Sequence, residues 1–284
     1  MRWVFCAVLV LGLTSPATAA DLDILRGPQI PATPPLTVGP ATFTRWSGFY
    51  AGGDVGYGNA NADFSGATQS LVAFVLRDTT LQAEDAPSQW PVLGSTNQSA
   101  TSFGGFVGYN TQWQDLILGM EANYSHAPFS LIAPTSPIAR TTSDSSGNAY
   151  AINFTGSGTL TASEFATLRL RGGWIVGDFL PYGFVGFALG VANTSVAVTG
   201  QGIQYTSGAV GVCTASAPCV PFAINNSTGA NNEVLYGFTA GLGVDYALTQ
   251  NFFLRAEFEF DQFKPPPGIL MTVATGRIGG GFKF

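Results

Sequence analysis

The chain has 284 residues, of which 10% are charged and 13% aromatic, and it contains 36 glycines. Few charges together with many aromatic residues and glycines favour β structure over helix. The net charge of -6 argues against a nucleic-acid partner, which would call for a basic face.

Residues 1–20 are predicted to be a secretory signal peptide. Arg2 precedes an apolar run over residues 3–13, and small residues fill positions 17–20, which is the three-part layout of such a peptide. A membrane anchor would need about 20 apolar residues, and this run is shorter. Residues 21–45 are rich in proline and lack regular alternation, so they are predicted to be an extended periplasmic linker.

Two cysteines remain once the signal peptide and Cys6 are removed. Cys213 and Cys219 are separated by the stretch Thr-Ala-Ser-Ala-Pro, and an exported protein meets an oxidising compartment. A local disulfide is therefore the default prediction, and two free cysteines are the alternative. Only His126 could assist them in binding a metal, so neither a metal site nor a cofactor is expected.

Eight segments alternate between two unlike faces with the period of a β-strand. In the last one, Ile278, Phe282 and Phe284 share one face, and Arg277 and Lys283 share the other. The eight segments are 46–58, 102–113, 116–125, 162–176, 182–198, 233–248, 252–260 and 274–284. Each is long enough for the roughly 9 to 11 tilted residues of a membrane strand. The predicted fold is all-β, an eight-stranded antiparallel up-and-down transmembrane β-barrel over residues 46–284.

The connections between these segments alternate strictly between short and long. This alternation is expected when short turns lie on the periplasmic side and long loops lie outside the cell. The long connections are predicted at residues 59–101, 127–161, 199–232 and 261–273. Within the first, the apolar run at residues 70–76 is interpreted as a hairpin or strand extension packed above the barrel, because a ninth strand alone would break the even strand count.

Charged side chains are predicted to face the barrel interior as a balanced set of five acids and five bases. They are Asp54, Glu121, Asp245, Glu257 and Glu259 with Arg169, Arg171, Arg255, Arg277 and Lys283. An eight-stranded barrel is only wide enough to be filled by side chains, so a stabilising salt-bridged network is favoured over an open channel. Ion selectivity in a narrow pore is the alternative.

An enzyme is the third class of function to consider. His126 has Ser125 beside it, but adjacent strand residues point to opposite faces and cannot act together as base and nucleophile. A loop serine such as Ser143 or Ser145 remains an alternative partner. Since no phosphate loop, metal cluster or paired catalytic carboxylates stand out, the protein is predicted not to be an enzyme.

Several stretches along the predicted strands carry a resemblance to a known family. They read WSGFYAGGDVGYG from residue 46, GGFVGYNTQW from 104, LGMEANYS from 118, LRGGW from 170, LPYGFVGFALG from 180, GFTAGLGVDYALTQN from 237 and RIGGGFKF from 277. Together they resemble the small outer-membrane β-barrel proteins of alphaproteobacteria, the RopB-like or porin-family proteins. The large loops and the cysteine pair are not part of that pattern.

The resemblance implies a place in the outer membrane of a Gram-negative cell and insertion by the barrel-assembly machinery. The assembly signal would correspond to Ile278, Gly280, Phe282 and Phe284. Family members are abundant surface proteins linked to envelope integrity and host contact. The expected function is therefore that of a structural, surface-exposed barrel, a monomer in contact with outer-membrane lipid and lipopolysaccharide, whose loops meet a host or surface ligand. A narrow porin for small solutes is the alternative.

Overall fold

The computed structural model describes residues 45–265 and 268–284. The predicted signal peptide and all but the last residue of the predicted linker lie outside this range. The described strands are β1 (Gly48–Asp63), β2 (Ser95–Trp113), β3 (Leu116–Ile132), β4 (Ile138–Ser143), β5 (Ala149–Trp174), β6 (Phe179–Tyr205), β7 (Cys219–Ala247), β8 (Phe252–Phe263) and β9 (Leu270–Lys283). Helices α1 (Gln69–Leu76) and α2 (Thr80–Asp85) and a 3-10 turn (Pro87–Gln89) lie between β1 and β2. No helix in the described part of the chain is long and apolar enough to cross a membrane.

Eight of these strands form a closed antiparallel ring. The sheet runs in the order β3, β2, β1, β9, β8, β7, β6, β5, and pairing of β3 with β5 closes it. The short strand β4 pairs only with the start of β5, from Ser143 opposite Ala149 to Ile138 opposite Phe154, and is not a member of the ring. The predicted eight-stranded antiparallel barrel is confirmed.

The two ends of the ring differ in the length of their connections. Residues 114–115, 175–178 and 248–251 make tight turns at one end, which we call the turn end. The passages from β1 to β2, from β3 through β4 to β5, from β6 to β7 and from β8 to β9 lie at the other, which we call the loop end. By the rule that long connections lie outside the cell, the loop end is expected to be extracellular.

Three strands continue far beyond the height that a membrane requires. Strands β5, β6 and β7 run over Ala149–Trp174, Phe179–Tyr205 and Cys219–Ala247, whereas about 9 to 11 residues suffice to span the bilayer. The prediction that residues 127–161 and 199–232 are loops is therefore wrong for most of their length. We call β4 together with residues 149–162 of β5, 192–205 of β6 and 219–232 of β7 the loop-end sheet.

A line of β-bulges separates the loop-end sheet from the ring below it. The pairing of β5 shifts between Ala162 and Glu164, and that of β6 with β7 shifts between Ala192 and Thr194. On the turn-end side of its bulge, β5 turns odd-numbered residues inward, such as Thr167 and Arg169; beyond it, the even-numbered residues face inward. A bulge inserts one residue and so exchanges the faces of the strand beyond it. We call the level of Ser163 and residues 231–232 the bulge line.

The polarity of the outer surface changes at the bulge line. On β5, the outward residues toward the turn end include Leu168 and Leu170, whereas Thr161 and Thr159 follow on the loop-end side. Strand β6 changes in the same way, from Leu189 and Val191 to Asn193 and Ser195. An apolar outer band that stops at one level is what a barrel needs at the edge of a bilayer. The bulge line therefore marks that edge.

The interior at the loop end is an apolar core. Its side chains include Phe64, Leu93, Phe154 and Leu160, which are at most 1% exposed. Helix α1 packs into this core with Leu71, Val72 and Leu76, and Asn226 of β7 donates a hydrogen bond to the Leu71 carbonyl at 3.0 Å. The prediction of a β hairpin or strand extension at residues 70–76 is thus wrong, because a short apolar run fits a helix as well as a strand until its packing is known.

Candidate functional site: the barrel interior

The turn end of the interior is closed by aromatic rings. Trp46 and Tyr50 each place their ring centroid 6.0 Å from that of Phe253, and Phe106 lies 6.2 Å away on the same ring. Lys283 holds its ammonium group 4.2 Å from the centre of the Trp46 ring and donates to a backbone carbonyl at 3.1 Å. These four rings form a floor, which is the first layer that fills the barrel.

Glu121 of β3 is the centre of the second layer. Its carboxylate accepts hydrogen bonds from Tyr50 at 2.7 Å, from Arg255 at 2.8 Å and from Arg171 at 3.3 Å, and it also accepts from Arg169. One carboxylate therefore joins strands β1, β3, β5 and β8 across the lumen. Such hydrogen-bonded charge pairs are the condition under which buried charges are tolerated.

Further carboxylates complete this ion-paired layer. Asp245 accepts from Arg171 at 2.6 Å and from Arg255 at 2.8 Å. Glu257 accepts from Arg169 at 2.8 Å and from the Tyr182 hydroxyl at 2.8 Å. Glu259 accepts from both Arg169 and Arg277. Each guanidinium therefore has at least one carboxylate partner, while the Nε atoms of Arg171 and Arg277 are buried without a protein partner among the described residues.

Aromatic faces cover three of the guanidinium groups. The Arg171 guanidinium carbon lies 3.8 Å from the centre of the Tyr182 ring, that of Arg255 lies 4.0 Å from Phe106, and that of Arg169 lies 4.2 Å from Phe184. Planar, weakly hydrated guanidinium groups stack on rings in this way. The rings fill the space around these three arginines that the ion pairs alone would leave empty.

Inward glycines lie against large side chains of the charged layer. A Cβ atom at Gly186 would lie 2.6 Å from the Cα of Arg169, and one at Gly108 would overlap the Tyr50 ring. Glycine at these positions lets a large side chain cross the neighbouring strand at close approach. The inward glycines therefore make room for the side chains of the charged layer.

All ten predicted interior charges face inward, and each is at most 7% exposed. The structure joins eight of them by ion pairs, while Asp54 and Lys283 stand apart from these pairs. Asp54 instead accepts from the Asn123 amide at 3.4 Å. The sequence interpretation missed Tyr50 and Tyr182, whose positions on the inward face of their strands were the available signal. It also missed the buried Asp261, one residue past the predicted end of its strand.

His126 lies on the outer face, away from the interior. Its Nδ1 atom is 2.8 Å from a Glu164 oxygen, and Glu164 also accepts from the Tyr124 hydroxyl. Ser125 points inward, and Ser143 and Ser145 lie at the far tip of the β4 to β5 connection. That tip is about 50 Å along β5 from the level of His126, at about 3.3 Å per residue. The structure therefore brings none of the three serines to His126.

A disulfide and a hydrogen-bonded carboxylate stabilise the tips of the loop end. Cys213 and Cys219 form a disulfide with a Cα separation of 5.3 Å. Asp144 accepts hydrogen bonds from Asn148, from Tyr150 at 2.8 Å and from Thr80 at 3.0 Å, so it ties the β4 to β5 connection to α2. The Asn148 donors, and then those of Tyr150 and Thr80, hold the pKa of the Asp144 carboxyl below its ordinary value.

The residues of the predicted assembly signal lie in the outer band of β9. Ile278, Phe282 and Phe284 are exposed on this face, and the smaller Gly280 lies between them beside Phe252. The backbone amide of Phe284 donates to the Phe49 carbonyl at 2.9 Å and so anchors the chain terminus to β1. Recognition of these residues by the assembly machinery stays a prediction. In residues 45–265 and 268–284, no three His, Cys, Asp or Glu side chains are grouped to hold a metal ion.

Comparison with known proteins identifies a family model and several similar proteins. A family model described as outer membrane protein beta-barrel domain matches residues 32–276. The chain is 24% identical over 281 residues to the 25 kDa outer-membrane immunogenic protein of Brucella ovis, an alignment covering 99% of this chain and 96% of the relative. Among solved structures it is similar to Ail, the attachment invasion locus protein of Yersinia pestis, with 12% identity, a TM-score of 0.32 and coverage of 84% and 99%. It is also similar to neisserial surface protein A, with 14% identity, a TM-score of 0.36 and coverage of 84% and 98%.

Proposed function

The chain belongs to the outer membrane protein β-barrel domain family, and we propose that it acts as a closed structural barrel that presents its loop-end sheet at the cell surface. Its location is the cell outer membrane. In this proposal the barrel is monomeric, supports the integrity of the envelope and meets surface or host ligands through the loop end.

The filled interior is the observation that carries this proposal. The aromatic floor around Phe253, the ion-paired layer around Glu121 and the apolar core around Phe154 follow one another from the turn end to the loop end. Side chains fill the lumen of an eight-stranded barrel when they are as large as these. A solute would have to displace charge pairs in one layer and apolar packing in the next.

The composition of the loop-end sheet supports a surface role. Its outward side chains are mostly Ser, Thr, Asn and Gln, and residues 199–232 contain no charged residue. A neutral, hydrogen-bonding surface stays soluble and adapts to polar ligands. The relative in Brucella ovis is named an immunogenic protein, which is in keeping with surface exposure of that protein.

Conductance in a planar bilayer tests whether the barrel is closed. Refolded protein is compared with an Arg169→Ala/Arg171→Ala variant, and folding of both is checked by the heat-dependent shift of barrel mobility on a gel. Both are expected to leave the bilayer silent, because the floor and the apolar core remain in the variant. An Arg77→Ala/Arg140→Ala variant, which alters two arginines outside the lumen, is the matched control.

Reproducible current steps in the wild type, with an ion selectivity that changes in the Arg169→Ala/Arg171→Ala variant alone, would overturn the closed barrel and favour the narrow porin. One observation speaks for that second candidate. Several buried polar atoms, among them Asp54 Oδ1, Thr239 Oγ1 and Asp261 Oδ1, have no hydrogen-bond partner in the described protein. Enzymatic activity has less support, since His126 faces a carboxylate and none of the candidate serines Ser125, Ser143 and Ser145 is brought to it.

A further inference from the structure

A notch opens on the outer face of the barrel at the bulge line. It is a cavity of about 370 Å³ between β3, β5, β6 and β7. Its walls are Pro128, Phe129, Ser130, Thr161, Ala162, Ser163, Glu164, Val191, Asn193 and Asn232. The extra residue in β5 and the register shift between β6 and β7 lie at this level, and a bulge bends its strand and interrupts the ladder.

Hydrogen-bonding groups of both kinds face the notch. Ser163 and Asn193 offer donors and acceptors, and Glu164 offers a carboxylate. The Glu164 carboxylate is held in place because Tyr124 donates to one oxygen while His126 lies 2.8 Å from the other. Asn193 is likewise fixed, since its Oδ1 accepts the backbone N–H of Asn232 at 2.8 Å. The polar groups of the notch are therefore positioned before any ligand arrives.

The position of the notch defines the kind of molecule that reaches it. On its turn-end side, Leu168, Leu189 and Val234 form an exposed apolar strip along the outer band. On its loop-end side, Ser157 and Ser195 begin the polar outer face. A molecule seated here has its polar part in the notch and its apolar part on the strip, which describes a lipid of the outer leaflet.

The charge of the notch selects among lipid headgroups. None of the residues that line it is Lys or Arg, and Glu164 brings a negative charge. A phosphate would face this carboxylate without the cation that phosphate sites normally use. Sugar hydroxyls, in contrast, donate to carboxylates and amide oxygens and accept from amide and hydroxyl donors.

We propose that the notch binds the carbohydrate headgroup of an outer-leaflet glycolipid, with the acyl chains laid along Leu168, Leu189 and Val234. Glu164 and the Ser163 hydroxyl oxygen accept from the sugar hydroxyls, and the side-chain amides of Asn193 and Asn232 donate to them; the Ser163 hydroxyl itself donates to Glu164 at 3.4 Å. The inference goes beyond the closed structural barrel and does not depend on whether the lumen conducts.

Native mass spectrometry of the refolded barrel in detergent tests this proposal. Two probes with identical acyl chains are compared: monoglucosyl diacylglycerol, which has a sugar headgroup, and phosphatidylglycerol, which has a phosphate. One glucosyl lipid is expected to be retained per barrel, with an affinity about tenfold above that for phosphatidylglycerol, which corresponds to one or two net hydrogen bonds. Equal retention of both lipids would overturn the proposal, because the apolar band alone would then explain binding.

Three variants locate the binding. Ser163→Trp fills the notch, and Glu164→Gln keeps its volume but removes the charge of the main acceptor. Ser157→Trp places the same bulk on the outward face of the same strand beyond the notch. We expect about tenfold weaker glucosyl-lipid binding in Ser163→Trp, about threefold weaker binding in Glu164→Gln and no change in Ser157→Trp.

Folding of each variant is checked by the heat-dependent gel shift before binding is measured. If Ser163→Trp does not fold, Asn193→Leu replaces it and the same weakening is expected. A folded notch variant that binds the glucosyl lipid as tightly as Ser157→Trp does would refute the site.

Discussion

The same strands enclose two opposite interiors on the two sides of the bulge line. Toward the turn end, Arg169 points inward and Leu168 outward; toward the loop end, Leu160 points inward and Thr161 outward. Both halves alternate with a period of two, so the pattern itself does not decide which face is apolar. The medium outside the sheet decides which face is apolar, because lipid surrounds the turn-end half and water is expected around the loop-end half.

The two interiors are also held together by different forces. The turn-end half relies on ion pairs that must all be satisfied, because one unpaired buried charge costs more than the pair contributes. The loop-end half relies on close packing of apolar side chains, as the core of a water-soluble domain does. A substitution in the turn-end half should therefore destabilise the whole ion-pair network, whereas one in the loop-end half should loosen only the packing around it.

Arg169→Ala is expected to have the largest effect. It deprives Glu121, Glu257 and Glu259 of a shared partner, and breaking a buried charge network costs about 3–5 kcal/mol. The measurement is unfolding in urea from detergent micelles, followed by the gel shift. The control is Arg77→Ala, whose exposed pair with Asp78 should contribute about 0–1 kcal/mol. Equal losses in the two variants would mean that the buried network is not the stabilising element of this half.

Leu160→Ala tests the loop-end half. It removes a fully buried side chain of the apolar core opposite Leu131 of β3, and such truncations cost about 2–5 kcal/mol. The loss should appear as faster proteolysis of the loop-end sheet while the gel shift of the membrane ring is kept. The matched control is Leu168→Ala on the outer band of the same strand, which should leave proteolysis unchanged. Loss of the gel shift in Leu160→Ala would mean that the two halves unfold together.

Asp144→Asn has the smallest expected effect. The lowered pKa of Asp144 means that its charged form contributes stability above about pH 4, the ordinary range for an aspartate, and that this is lost as pH falls through the folded pKa. The protection of the Asn148 amide against hydrogen exchange, taken relative to the intrinsic exchange rate at each pH, should therefore be steady from neutral pH to about pH 4 in the wild type. The variant should exchange a few-fold faster throughout, since it loses hydrogen bonds to a charged group. Asp78→Asn, an exposed neighbour, should exchange as the wild type does; if it matches Asp144→Asn, the hydrogen bonds of Asp144 do not hold the tip.

The sequence predicts the membrane ring well, because its alternation is uninterrupted there. The predicted fourth and sixth strands begin at Ala162 and Glu233, and these are the residues beside the bulges of β5 and β7. The bulge of β5 exchanges the inward and outward faces, and the change from lipid to water exchanges the apolar face, so the apolar residues stay even-numbered on both sides, as Leu168 and Leu160 are.

The partners within the interior were less accessible to sequence reasoning. Alternation places Glu121 and Asp245 inside, but which guanidinium each carboxylate meets depends on the stagger of distant strands. Helix α1 was missed for another reason: its residues are compatible with a strand, and the apolar core that α1 enters is built by residues far away in the chain. The alternation along one strand determines which side chains face inward, whereas the stagger of all the strands in the closed ring determines which of them meet.

The disulfide has a consequence for the order of events during export. Cys213 and Cys219 are six positions apart in the connection from β6 to β7. The tip of this connection is expected to lie far outside the cell, because β6 and β7 are among the longest strands. Bacterial thiols are oxidised in the periplasm, on the near side of the outer membrane. The disulfide is therefore expected to form before the β6–β7 hairpin crosses the outer membrane. The tip of the hairpin would then cross with its two cysteines already joined. The tip would then arrive at the surface with its shape already set.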